Sequence, residues 1–273
     1  MLVSEVLFYN VVLSLIFLFT GLGTIKGLCE GLLVIRNINS NNFTACFLMF
    51  YLFIPFLNIF LQNVNQKQHQ HLIALLAFLY IFFGTLPTFS ITMNYVSWFI
   101  VLYVIAAYIR FYPIKKRCWG KWTIFFTFFA IISILACLLL GERIDRAIAY
   151  GFVSDSNTFL AFIIGLCSFM FFKDLKIRQS KVINVIGGST FGVLCIHANS
   201  DTMRSWLWGT ILDVKGAYSF SFGKLIVYSF LSVFVICTVF EVIRAKYIER
   251  PFFKWIETRD WYKKCETKFE CLE

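Results

Sequence analysis

An apolar run ends on a single histidine, Ser189-Thr-Phe-Gly-Val-Leu-Cys-Ile-His197, and a polar segment carrying Asn199, Asp201, Arg204 and Trp208 follows at once. Imidazole, amide, carboxylate and guanidinium are crowded together there. Those groups include one that can take a proton and several that can donate hydrogen bonds to a substrate or a developing charge. His197 is the candidate catalytic residue, because imidazole is the side-chain group that exchanges protons near neutral pH. Asn199, Asp201, Arg204 and Trp208 are the candidate substrate-binding residues. The same residue types also anchor helices at a membrane surface, cap loops and bond neighbouring helices. On chemistry alone both readings stand.

Other polar residues read more plainly. Pro55 frees a backbone carbonyl inside an apolar run, and Asn58, one turn later, is expected to make an interhelical hydrogen bond beside the kink. His69 and His71 lie in Gln62-Asn-Val-Asn-Gln-Lys-Gln-His-Gln-His, with no Cys or acid beside them. They read as a solvated loop, and no metal site is expected anywhere. Glu241 and Arg244 are one helical turn apart and are expected to pair. The Lys115-Lys116-Arg117 cluster and the basic tail suit anionic lipid headgroups or the phosphates of an acyl-CoA.

These groups must be positioned by membrane helices. The chain is 59% hydrophobic and 15% charged, with 34 Phe among 273 residues, which excludes an ordinary soluble domain. The reading is an all-α polytopic transmembrane bundle of about eight spans, near 3–22, 44–61, 72–87, 95–110, 122–140, 157–172, 182–197 and 224–245. Inside the second to seventh spans there is no Asp, Glu, Lys or Arg apart from Arg110 at the end of the fourth. Residues 1–257 form one helical domain, and 258–273 form a basic tail. Residues 26–35 read as a short amphipathic helix lying along the interface. Most of the nine cysteines sit inside apolar runs as small packing residues, with no disulfide expected. The opening residues lack the basic start of a secretion signal.

Lys and Arg set the orientation. Of the 25 basic residues, 18 fall on one set of connections and the tail, and 7 on the other. Positive-inside then places both termini in the cytoplasm and His197 at the outer end of its span. The net charge of +10 is distributed along membrane flanks, so a lipid bilayer is the expected partner and nucleic acid is not.

Four stretches, in order, resemble the membrane acyltransferase family 3, bacterial O-acyltransferases of surface polysaccharides. Leu48-Met-Phe-Tyr-Leu-Phe-Ile-Pro55-Phe-Leu-Asn58 resembles the family's "LYLL-PFLN" span, and Trp98-Phe-Ile-Val-Leu-Tyr-Val-Ile-Ala-Ala-Tyr108-Ile-Arg110 its "WF-x-LY-x-IGAYIR" span. Ser189 to Trp208 resembles its C-terminal signature. Glu241-Val-Ile-Arg244 with Ile248-Glu-Arg-Pro251-Phe-Phe-Lys254 resembles its closing "D-x-IR…I-x-KPF-x-K". The likeness runs from about residue 40 to 257.

The resemblance implies transfer of an acyl group, acetyl in the first instance, from acyl-CoA to a saccharide hydroxyl at a bacterial inner membrane. The acceptor would be a surface polysaccharide or its lipid-linked precursor. There are two departures. Many members have an acid after the histidine where this chain has Ala198, so Asp201 would have to orient the imidazole in its place. Members also open with a first span ending in a histidine, preceded by an arginine, whereas Leu2 to Gly23 contains neither. Ten core spans are usual, so this chain reads as an N-terminally truncated copy beginning in the third. With no evident base in its first span, residues 1–273 alone are expected to show little activity. An inactive remnant, a partner subunit or a glycolipid carrier are the alternatives.

Overall fold

The computed structural model describes residues 2–33, 42–86, 94–115, 117–140, 153, 155–259 and 262. The described residues are helical with no strand, as the all-α reading expects. Each of the eight expected segments is occupied by helix. These are α1 (Leu2–Phe19), α3 (Phe43–Gln62), α4 (Gln66–Leu76, continued as a π-helical stretch Ala77–Phe82 and Phe83–Thr85), α5 (Tyr95–Phe111), α6 (Trp119–Leu140), α7 (Phe159–Asp174), α8 (Lys181–His197) and α10 (Val214–Arg244). Between them, α2 is Ile25–Leu32 and α9 is Asp201–Arg204, which continues as Ser205–Ile211. A wound stretch Ala245–Glu249 leads from α10 into α11, Arg250–Glu257. The expected tail, 258–273, lies outside the described residues apart from 258, 259 and 262.

Four described helical segments are long and apolar enough to cross a membrane: Leu2–Phe19, Phe43–Gln62, Trp119–Cys137 and Val227–Glu257. The bent pair Lys181–His197 and Asp201–Ile211 makes a fifth if taken as one span. At 16 or 17 residues, α5, α7 and α8 lie near the lower limit of roughly 17–25 residues for a crossing. Many outward side chains are large and apolar, such as Ile124 at 73% and Phe128 at 63% exposure. That pattern suits contact with lipid rather than water.

The chain forms two compact units, residues 37–177 and residues 1–36 with 178–273. In the first, α3 packs on α5 through interlocking rings, with Phe99 edge-on to Phe43 at 5.2 Å and to Phe47 at 5.4 Å. Pro55 sits inside α3, and the Asn58 amide oxygen accepts from the Tyr103 hydroxyl of α5 at 2.6 Å, the interhelical bond expected beside the kink. A core of Ile81, Trp98, Val101 and Ile105 joins α5 to the π-helical stretch of α4.

The polar segment after α3 corrects the loop reading. Asn65 and Gln68 form a capping box that satisfies the free N–H groups of a new helix. The segment therefore folds as the start of α4. His69 is wholly buried; its Nε2 donates to the Val104 carbonyl at 2.9 Å, and its ring packs edge-on to Tyr108 and Tyr112. His71 is exposed. One imidazole thus pins α4 to α5, because helical phase turns positions 69 and 71 to different faces.

In the second unit α1 packs on α2 and α8, and α8 on α10. The amphipathic helix expected at 26–35 is present as α2, capped by Thr24 and folded against α1, where the Asn10 amide donates to the Gly31 carbonyl at 2.9 Å.

Candidate functional site

α8 begins at Ser180, whose hydroxyl accepts from Ile183 N, and carries its apolar residues up to His197. There the helix stops. Ala198 leaves helical geometry, and Ser200 caps α9 by accepting from Met203 N at 3.2 Å. The two helices meet at 94°. The break is stitched to α1, because the Asn199 amide donates to Asn10 Oδ1 at 2.7 Å. Asn10 is the ninth of the eighteen residues of α1, so the break faces the middle of that helix. The end of α8 thus lies against the middle of α1. Non-helical backbone in membrane proteins persists where protein or a cavity satisfies its polar groups; here Ser200 accepts from the Met203 N–H, and Asn10 accepts from the Asn199 side chain.

His197 is half-buried, and its Nδ1 lies 2.6 Å from the Val193 carbonyl oxygen one turn back. A carbonyl only accepts, so Nδ1 carries a proton, and in the uncharged form the ring's lone pair is at Nε2. The backbone of α8 itself therefore sets the tautomer. Asp201 does not take that part. Its carboxylate pairs with Arg204, and both side chains are largely exposed, at 94% and 56%. Trp208 is half-buried in the stretch after α9, and its neighbour Trp206 packs edge-on to Phe17 of α1 at 5.8 Å. Of the expected set, His197 and Asn199 meet at the break, while Asp201 and Arg204 meet each other.

One residue before Asn10, Tyr9 belongs to a second polar group. Its hydroxyl donates to Glu241 Oε2 at 2.6 Å. Arg244 donates to the same oxygen from Nε at 2.8 Å and to Oε1 from Nη2 at 2.7 Å, so the expected Glu241–Arg244 pair is bidentate. The same Nη2 reaches Glu249 at 2.5 Å and approaches Glu5 at 3.7 Å. Glu5, Glu241, Arg244 and Glu249 are all under 10% exposed. The wound stretch after α10 brings Glu249 back beneath Arg244, which regular helical spacing would not do. One guanidinium thus serves three carboxylates in an apolar bundle. A cavity of about 420 Å³ adjoins it, lined by Arg244, Glu249 and apolar residues of α1 and α11.

Gly192 ties the two groups together. A Cβ there would collide with the Glu241 carboxylate, so α8 approaches α10 as closely as glycine permits, five residues before His197. Glu5, Tyr9, Asn10, Gly192 and Glu249 carried no role in the sequence reading. The signal present was an acid and an amide inside an apolar run, which is rare in a spanning helix unless it has partners.

No protein-family model, curated protein or solved structure matches this chain at a significant level.

Proposed function

We propose that this protein is a multi-pass membrane O-acyltransferase of the family 3 type, moving an acyl group from acyl-CoA to a saccharide hydroxyl at a bacterial inner membrane, with eight spans and both termini cytoplasmic. The observation that supports it best is the His197 imidazole, whose Nδ1 is committed to Val193 and whose Nε2 lone pair remains for a proton. In this reading Nε2 takes the acceptor proton as the hydroxyl oxygen attacks the thioester carbonyl. The carbonyl becomes a tetrahedral oxyanion, for which Asn199 is a donor candidate; the C–S bond then breaks, and the proton passes to the leaving thiolate. Little activity is expected of residues 1–273 alone, for want of the first-span histidine and of two helices, and His197 is the base proposed for what transfer remains.

The test is acetyl transfer from radiolabelled acetyl-CoA to a polysaccharide acceptor by the chain in proteoliposomes. Wild type should transfer, and His197→Ala should lose about 10²- to 10⁴-fold, the usual contribution of a general base. A wild-type chain that transfers nothing favours the inactive or partner-subunit reading. Transfer undiminished in His197→Ala removes the imidazole from the chemistry.

A further inference from the structure

The unit of residues 37–177 contains a cleft of about 820 Å³ between the later half of α4, the middle of α6 and the start of α7. Seven of its fourteen lining residues are Phe, among them Phe78, Phe82, Phe126 and Phe162. Two lining side chains are polar, and both are already engaged. Ser133 donates to the Phe129 carbonyl at 2.9 Å; Thr85 donates to the Ile81 carbonyl at 2.6 Å and accepts from Phe159 N at 2.8 Å. No side chain of the lining remains to grip a sugar, a phosphate or an ordered water.

Beside the cleft, the start of α7 is tied to α4. The buried Asn157 donates to the Tyr80 carbonyl at 3.1 Å, and a Cβ on Gly84 would collide with the Asn157 amide. The start of α7 is thereby held against α4, while farther along the walls part around the π-helical stretch Ala77–Phe82. Inserted residues of this kind commonly mark functional positions.

We propose that this cleft binds one fatty-acyl chain of a bilayer phospholipid as a resident ligand. An apolar space of this size lies within the range of ligand sites, roughly 300–1,000 Å³, and far exceeds the voids that a packed interior keeps. Water is a poor occupant, since it needs two to four polar partners. α6, which forms one wall, is apolar and long enough to cross a membrane, so fatty-acyl chains are the hydrocarbon at hand. Lining separates the resident chain from ordinary lipid: it lies among three helical segments, whereas lipid against Ile124 and Phe128 touches the outer face of α6 alone. The proposal rests on this unit alone and does not depend on acyl transfer.

The test uses the full chain purified in detergent and washed free of loosely bound lipid. Native mass spectrometry should find one phospholipid per chain. Ser133→Phe, which fills the cleft and breaks no bond to another helix, should lower that occupancy at least about tenfold, while Ile124→Phe on the outer face should leave it unchanged. In unmutated protein, a phosphatidylcholine with a diazirine on its acyl chain should label 125–133 and 159–163 at Ser133, Phe126 and Phe162 in preference to Ile124 and Phe128. A washed chain without lipid, equal occupancy in both variants, labelling spread evenly over the outer face, or a retained isoprenoid instead of a phospholipid would each overturn it.

Discussion

Replacing Arg244 by Met keeps most of the side-chain volume and removes the one cation that three buried carboxylates share. Three charge-assisted bonds disappear, two to Glu241 and one to Glu249. Bonds to charged groups contribute about 1.5 kcal/mol or more each in water-soluble proteins. In membrane bundles the average is nearer 0.6 kcal/mol, because the unfolded chain in lipid also finds partners. The three together therefore bracket about 2–5 kcal/mol, in line with the roughly 3–5 kcal/mol lost when one partner of a buried pair is removed. Arg244→Met should shift the folded-to-unfolded ratio by about one and a half to three and a half decades, at about 1.4 kcal/mol per tenfold. Arg244→Lys should fall between, since an ammonium keeps the charge but cannot reproduce the fork that grips both oxygens of Glu241. Reversible unfolding in mixed micelles, followed by tryptophan fluorescence across a denaturing-detergent titration, measures both. If Arg244→Met lies within about 0.5 kcal/mol of wild type, as changes away from such features do, the buried network contributes nothing and the reasoning fails.

Gly192→Ala should cost about 1–3 kcal/mol through overpacking against Glu241, and Glu241→Ala in the same chain should recover part of that by opening space; the same titration checks it, and additive losses would contradict the close approach. His69→Ala should destabilise the helix pair α4–α5 by about 2 kcal/mol or more, while His71→Ala should be neutral within about 0.5 kcal/mol. Equal effects of the two would place both in water. Reporters fused after Glu273 or at Lys116 should read cytoplasm and those near Asp155 or Val214 the outside, as positive-inside requires; a tail read outside would invert the orientation.

Composition and apolar run length were enough for the helical class, because a segment apolar all round has one way to satisfy its backbone in lipid. They also located each of the eight helices, the interhelical bond at Asn58, and the pairing of Glu241 with Arg244, which follows from their spacing within one helix. Local spacing could not say which helix a polar group would meet. His69 looked solvated because its neighbours in the chain are polar, yet the capping box turned it toward α5 and buried it. Asp201 looked available to His197, yet a helical turn set it beside Arg204 while the α8 backbone took the imidazole. Glu5 met Arg244, Tyr9 met Glu241 and Asn10 met Asn199 only when α1 packed against elements some 190 or more residues away in the chain. Charge balance and hydrogen-bond satisfaction in an apolar medium are settled between helices, and a linear pattern of hydropathy contains no term for that.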